Sequence, residues 1–212
     1  MLQEWVRHSV EWNNWGVNVL TVSFIATVFF TFLEMWGLVK QDRTIRDARS
    51  GEGVSVSMIS YFGCTFIAFG YFGFVVHSVA SLFNGVILFF FYLKVLLGLK
   101  KFKGFSTVEK WRIALFASLV LLEFLTNKKE LVMTGIMIGA VYPMYLQVRE
   151  IWVKQSVGQL DIRYTTVMLI STLFWTVYAF VTHNLPLMIV NPFGITLFGM
   201  MIYFWFKFRQ SN

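Results

Sequence analysis

The sequence is poor in the residues that build disulfide frameworks, metal clusters and charged soluble surfaces. Among 212 residues there is a single cysteine, Cys64, with only three histidines, and charged residues make up 14% of the chain. One cysteine excludes an internal disulfide and any cysteine-based metal cluster. Soluble domains carry about a quarter charged residues, so the low charge argues against a soluble globular protein.

Motifs for catalysis and nucleic-acid binding are also missing. There is no glycine-rich phosphate loop, no serine–histidine–aspartate set in a suitable context and no pair of carboxylates within one apolar run. No basic groove with interleaved aromatic residues lies outside the apolar runs. We therefore expect no enzymatic activity, no cofactor, no metal and no nucleic-acid partner.

What the chain has instead is long apolar runs. Hydrophobic residues make up 57% of it and aromatic residues 19%, and a membrane-spanning helix needs about 20 mainly apolar residues. The sequence therefore predicts an all-α integral membrane protein with seven transmembrane helices in contact with the lipid bilayer. The predicted spans are about 17–39, 57–76, 79–98, 113–126, 131–148, 164–182 and 186–206, the fourth being the shortest.

The basic residues predict the orientation of these spans. Fourteen lysines and arginines follow spans one, three, five and seven, whereas only Arg7, Lys128 and Lys129 fall on the other side. Under the positive-inside rule the amino terminus lies outside and the carboxyl terminus in the cytoplasm of a multi-pass protein of the cell membrane. The start, MLQEWVRHSVEWNNWG, is polar and aromatic, so we expect no cleaved signal peptide.

The two halves of the sequence resemble each other at an offset of 106 residues. The stretch QDRTIRDARSGEGVS then lies over QVREIWVKQSVGQLD, which predicts two parallel three-helix repeats joined by a linker helix. The residues paired in this way are Gln41 with Gln147, Phe69 with Trp175, Phe72 with Tyr178 and, after one missing residue in the outer turn of the first half, Asn84 with Asn191.

The repeats predict a division of the chain into five parts. These are an extracytoplasmic segment at 1–16, the first repeat at 17–98, a cytoplasmic loop and linker helix at 99–130, the second repeat at 131–206 and a cytoplasmic tail at 207–212.

The second half resembles the SWEET sugar transporters and the wider PQ-loop group. The resemblance covers residues 17–206 and implies the 3-1-3 helix arrangement of that family. The proline of the Pro-Gln motif is absent from both halves, where Lys40 and Leu146 stand instead. The matching elements of the second half are Gln147, VKQSVGQLD, Trp175, Tyr178, Pro186 and Asn191, and those of the first are Gln41, ARSGEGVS, Phe69, Phe72, Gly73 and Asn84.

The resemblance also implies a substrate site. Asn84, Asn191 and Trp175 match substrate-contacting positions, while Phe69 stands where the family usually has a smaller residue, which indicates a narrower pocket or a smaller ligand. A buried amide is costly unless it is hydrogen-bonded, so both asparagines should face the protein interior. Contact with substrate and an interhelical clamp both remain open for them.

Gates and hinges are expected at the two ends of the pathway. Phe72 and Tyr178 resemble the residues that close the outer gate in the family. Gln41 and Gln147 stand where they could bond across the inner mouth. The hinge prolines of the family are missing, but a proline kinks a helix and a glycine loosens it, so Gly37 and Pro143, which are 106 residues apart, form the candidate hinge pair.

The acid Glu34, inside the first span, is a candidate proton site because ionisation in a membrane is expensive. Its closeness to the basic loop leaves a second interpretation, in which it reaches the interface or pairs with Lys40.

Together these features predict facilitated diffusion of a small neutral sugar, a mono- or disaccharide, by alternating access. One alternative is a proton-coupled carrier of an amino acid or vitamin, for which Glu34 is the lead. An alternative of another class is a non-transporting sorting receptor or scaffold, for which interior arginines and acids would be the signature and are not expected here. Homo-oligomerisation stays open.

Overall fold

The structure, a computed structural model, describes residues 2–209, and the regular elements of those residues are ten α-helices. This confirms the predicted all-α class. The helices are α1 (Leu2–Arg7), α2 (Val10–Asn13), α3 (Val19–Asp47), α4 (Val56–Val75), α5 (Val79–Phe102), α6 (Thr107–Leu125), α7 (Lys129–Gly139), α8 (Val141–Lys154), α9 (Ile162–Val181) and α10 (Leu185–Phe208).

Six of the seven predicted spans correspond to helices that are long and apolar enough to cross a membrane: α3, α4, α5, α7 with α8, α9 and α10. The chain is therefore a multi-pass membrane protein. The fourth predicted span lies in α6, a regular helix of 19 residues. It falls short of the others in composition because Glu109, Lys110, Arg112 and Glu123 lie within it, so a seventh span stays a prediction.

Polar residues between the apolar runs fix where the helices begin. Ser55, Ser78, Asp161 and Asn184 each accept a hydrogen bond from a backbone N–H of the helix that follows. Ser106 does the same for α6 within a complete capping box. Each cap satisfies a backbone donor that a helix start would otherwise leave free. Short connections thus turn the chain sharply between antiparallel helices.

The fifth span is broken between α7 and α8. Pro143 has no N–H to continue the helical ladder, and the N–H of Ala140 bonds to Met137 rather than to Ile136. The carbonyl of Ile136 is instead taken by the Tyr61 hydroxyl at 2.6 Å. A side chain from α4 therefore satisfies one of the carbonyl groups that the break leaves free.

The helices of the two halves match at the offset of 106. α4 and α9 begin and end 106 residues apart, and so do α5 and α10. The left-handed turn residues Arg49 and Gln155, and His77 and His183, repeat at the same offset.

One part of the sequence alignment was wrong. The turns before α5 and α10 have equal length, so no residue is missing from the first. Asn84 therefore corresponds to Val190, and Asn191 to Gly85. The two asparagines differ by one helix position, which rotates them by about 100° relative to each other about their helix axes.

The helices α4 and α5 of the first half pack closely at glycine residues. α4 lies along α5, α3 contacts both α5 and α9, and α9 contacts α10. In the first half Gly85 lies against the backbone of α4 at Gly70, and Gly73 lies against Ser81 and Leu82. A Cβ atom at Gly85 would collide with the backbone of Gly70. These glycines set the short distance between α4 and α5.

We predict that Gly85→Leu lowers the stability of the protein by about 1–3 kcal/mol, because extra atoms at this contact force the helices apart. The measurement is the temperature at which half of the detergent-purified protein stays monodisperse. Gly199→Leu on α10 is the control, because a Cβ atom there meets nothing within 4 Å. Equal melting of both variants would contradict the packing role of Gly85.

Candidate functional site: a cavity between the two halves

A cavity of about 90 Å³ lies in the middle of the helix bundle. Helices α3, α4, α5, α7, α8, α9 and α10 all contribute to its wall. The four predicted substrate-binding residues, Asn84, Asn191, Trp175 and Phe69, line it, and so does the candidate proton site Glu34. The structure thus brings together five side chains from α3, α4, α5, α9 and α10.

One wall of the cavity is a hydrogen-bonded polar cluster around Glu34. The Asn84 amide donates to Thr31 Oγ1 at 2.9 Å and to Glu34 Oε2 at 3.0 Å. The Ser171 hydroxyl donates to Glu34 Oε1. This cluster joins α3, α5 and α9, so Asn84 does act as an interhelical clamp as well as lining the cavity.

The interpretation that Glu34 reaches the interface or pairs with Lys40 was wrong. Glu34 is 3% exposed and points into the bundle. The Lys40 ammonium instead lies 5.5 Å from the ring centre of Trp36 on the same helix. The cause is helix geometry: the face of α3 that carries Glu34 also carries Thr27, Thr31 and Gly37 against the neighbouring helices, whereas Lys40 lies off that face.

Two other polar atoms at the cavity have no partners. The Asn191 amide nitrogen and the Thr65 hydroxyl oxygen are buried and make no hydrogen bond among the described residues. Both residues line the cavity. Unpaired buried donors are rare because each costs about 1–3 kcal/mol. Two of them beside one cavity indicate a place where a ligand supplies the missing partners.

Sequence reasoning missed Thr65, although the offset of 106 pairs it with Ser171. Ser171 bonds to Glu34, but the residue that corresponds to Glu34 in the second half is Ala140, which offers no acceptor. The Thr65 hydroxyl therefore has no partner among the described residues, whereas the hydroxyl of its counterpart Ser171 is hydrogen-bonded. The departure from exact repetition could have been found by comparing the two halves position by position.

Aromatic and sulfur-containing side chains form the rest of the wall. The rings of Phe69 and Trp175 meet edge to face with centroids 5.6 Å apart, and Trp175 meets Tyr178 in the same way at 5.3 Å. Phe62 and Phe66 line the cavity as well. The three methionines of the wall are Met137, Met144 and Met168.

The cavity is closed at the end of the bundle that carries the turns before α5 and α10. The Tyr178 hydroxyl donates to Glu11 Oε1 at 2.6 Å, and Ser78 Oγ lies 2.9 Å from the same hydroxyl. Glu11 also accepts the backbone N–H groups of Val79 and Ala80 at the start of α5. A carboxylate is favourable there because a helix start is electropositive.

This closure includes a residue that sequence reasoning did not identify. Glu11 lies in α2 and is 2% exposed, so part of the predicted extracytoplasmic segment belongs to the bundle. The predicted outer-gate residues Phe72 and Tyr178 are both buried beneath it. The only signal in the sequence is a lone acid among tryptophans, VEWNNW, directly before the first span.

At the basic end, Gln41 and Gln147 hold the two halves together by a reciprocal exchange of hydrogen bonds. Each glutamine is fully buried and binds the backbone of the loop in the other half. The bonds are Gln41 Nε2 to Gln159 O (2.8 Å), Asp161 N to Gln41 Oε1 (3.0 Å), Gln147 Nε2 to Gly53 O (2.7 Å) and Ser55 N to Gln147 Oε1 (2.7 Å).

The two loops touch at a pair of glycines. Gly53 and Gly158 have φ angles of 74° and 52°, a region that favours glycine. A Cβ atom on either would lie 2.5 Å from a carbonyl oxygen of the other loop. Nearby, burial raises the pKa of Asp161, but hydrogen bonds from Arg163 and Thr44 outweigh it and hold that pKa below its usual value. The loop contact therefore carries an ionised cap at neutral pH.

The two candidate hinge residues occupy different surroundings. Pro143 lies next to the break between α7 and α8. Gly37 lies within the unbroken helix α3, where a Cβ atom would be 3.2 Å from the Cα atom of Tyr164 on α9. Gly37 thus permits a close contact between α3 and α9, and only Pro143 stands at a distortion of its helix.

Comparison with known proteins yields a similarity to a solved structure. No family model matches the sequence, and no curated protein matches it significantly. The structure is similar to that of a eukaryotic SWEET transporter, with a TM-score of 0.51 and 13% sequence identity over 92% of this chain and 98% of that one. At this level of identity the similarity establishes a shared fold.

We predict that Glu11→Ala opens the cavity toward the end that Glu11 closes. Hydrogen bonds to a charged group contribute about 1.5–3 kcal/mol, so their loss should raise access to the cavity about tenfold or more. The readout is the maleimide labelling rate of Asn191→Cys in a Cys64→Ser background. Glu130→Ala on α7, at the same end, serves as the control, and an unchanged rate for Glu11→Ala would exclude the closure.

Proposed function

We propose that this protein is a membrane carrier that moves a small neutral sugar by facilitated diffusion through alternating access. The observation that carries the proposal is the pair of unpartnered groups, Asn191 Nδ2 and Thr65 Oγ1, beside a cavity in a bundle whose two ends are held by hydrogen bonds between its halves. The fold shared with a SWEET transporter agrees with this function. We propose no catalytic role.

The architecture that we propose for the carrier is two three-helix repeats, with α6 as a seventh, linking span. Support comes from the identical bounds of α4 and α9, and of α5 and α10, at the offset of 106. Support for α6 as a span comes from its exposed apolar side chains, which include Trp111, Leu115, Leu122 and Leu125. The basic loops support an orientation with the amino terminus outside the cell.

A sugar fits the chemistry of the cavity. Its hydroxyls would accept from Asn191 and exchange hydrogen bonds with Thr65 and Asn84. The rings of Trp175 and Phe69 offer an apolar surface to the C–H face of the sugar. Among the residues that the structure describes, no lysine, arginine or histidine lines the cavity, which disfavours an anionic substrate such as a sugar phosphate.

Alternating access would use the two closures in turn. The Glu11–Tyr178 contact joins the amino-terminal segment and α5 to α9, and the Gln41 and Gln147 bonds join each half to the loop of the other. When one half rocks against the other, the hydrogen bonds at one end of the bundle break and those at the other end remain. Pro143 provides a weakened point in the moving helices.

A second candidate, the proton-coupled carrier, is favoured by one observation. Glu34 is buried in the wall of the cavity and bonds directly to Asn84. This acid also corrects the expectation that the pathway has no interior acid. No arginine lines the cavity, so the receptor alternative gains no comparable support.

We predict that proteoliposomes with the purified protein take up radiolabelled hexose, and that Asn191→Ala and Thr65→Val each lower the uptake about tenfold. Each variant removes a group that pairs only with the substrate, worth about 1–2 kcal/mol. Ser118→Ala, which removes a lipid-exposed hydroxyl on α6, is the control.

An absence of uptake for every hexose and disaccharide would reject sugar transport. Uptake that rises in a pH gradient, and loses that rise in Glu34→Gln, would select the proton-coupled candidate instead.

A further inference from the structure

The cavity contains a carboxylate with no cationic partner. The hydrogen-bond partners of Glu34 are the Asn84 amide and the Ser171 hydroxyl, which are neutral. The nearby titratable groups are the hydroxyls of Tyr92 and Tyr164, and no basic residue among those described lines the cavity. A buried charge is expensive unless an opposite charge or several hydrogen bonds compensate it. Glu34 has two hydrogen bonds and still lacks a counter-charge.

The nearest lysines of the membrane helices are engaged elsewhere. Lys94 lies 3.7 Å from Asp42 near the basic end, and Lys40 lies over the ring of Trp36. Asp42 is itself held by Arg46 on the next turn of α3. Two sources can therefore neutralise Glu34: a proton on its own carboxyl group or a cation held in the cavity.

The remaining wall suits a cation. The rings of Phe62, Phe66, Phe69 and Trp175 line the same small space, and an aromatic face attracts a cation within about 6 Å by roughly 0.5–2 kcal/mol. The polarisable side chains of Met137, Met144 and Met168 line the same cavity.

The unpaired groups of Asn191 and Thr65 need a different kind of partner. The Asn191 amide needs an acceptor, and the Thr65 hydroxyl needs a partner of either kind. A hydroxyl group supplies both. A carboxylate on the ligand would also accept from Asn191, but in so small a cavity it would lie near Glu34 without any basic residue to offset the repulsion.

We propose that the solute carried by this protein is an amino sugar, whose protonated primary amine pairs with Glu34 while its hydroxyls bind Asn191 and Thr65. This inference rests on the proposed sugar carrier and replaces the neutral sugar with a cationic sugar as its preferred solute. Glu34 is then a specificity-determining residue that sorts sugars by charge.

The test compares three sugars that differ at one carbon. Proteoliposomes are given glucosamine, glucose or N-acetylglucosamine at a pH at which the free amine is protonated. N-acetylglucosamine keeps the nitrogen and loses the charge. We expect glucosamine uptake to exceed that of both neutral sugars about tenfold, the factor that 1.4 kcal/mol of extra binding gives, and to accelerate under an inside-negative membrane potential.

Variants then test whether Glu34 causes the preference for glucosamine over glucose. Glu34→Gln should bring the ratio of glucosamine to glucose uptake close to one. Glu123→Gln, which neutralises another buried acid outside the cavity wall, should leave the ratio unchanged. A ratio that survives in Glu34→Gln would overturn the assignment.

The outcomes separate this inference from the proposed function. Equal uptake of all three sugars would overturn the amine site and leave sugar transport standing. Thermal stabilisation of the purified protein by glucosamine but not by glucose, without any flux, would support the amine site and reject transport. Neither binding nor flux of glucosamine would overturn both.

Discussion

A polar group buried in a membrane protein must find its hydrogen-bond partner inside the protein, and this constraint organises the whole molecule. Lipid offers no substitute for water, so an unpaired amide or carboxylate is expensive. Gln41 and Gln147 meet the constraint by binding the loop of the opposite half. Glu11 meets it by joining the amino-terminal segment to the start of α5 and to Tyr178 of α9.

These bonds close the two ends of the bundle and define what lies between them. Because each closure joins parts of different halves, the halves cannot move relative to each other without exchanging hydrogen bonds. The space between the two ends holds two exceptions, Asn191 and Thr65, whose polar atoms have no hydrogen-bond partner among the described residues, and a third, the carboxyl group of Glu123 on α6, lies outside it. Glu34 has hydrogen bonds but no counter-charge. The incomplete groups of Asn191, Thr65 and Glu34 thus all line a single cavity.

The sequence predicted the helices and the residues that line the cavity better than it predicted which residues of the two halves correspond. Apolar runs fixed the spans because burial in lipid demands them, and the inward placement of Asn84 and Asn191 followed from the cost of an amide. The alignment of those two asparagines failed because it matched residue types, whereas the turns before α5 and α10 conserve length. Glu11 and Thr65 were missed because their roles depend on contacts between segments far apart in the chain.

We infer that the arrangement with both ends of the bundle hydrogen-bonded alternates with one that opens at the basic end. Spin labels at Asp47→Cys and Val153→Cys, exposed residues 106 apart at the ends of α3 and α8, report the separation of the two halves there. In liposomes, pulsed electron paramagnetic resonance should resolve a shorter and a longer distance, with proportions that change when solute is added. A single distance that no solute alters would contradict the account.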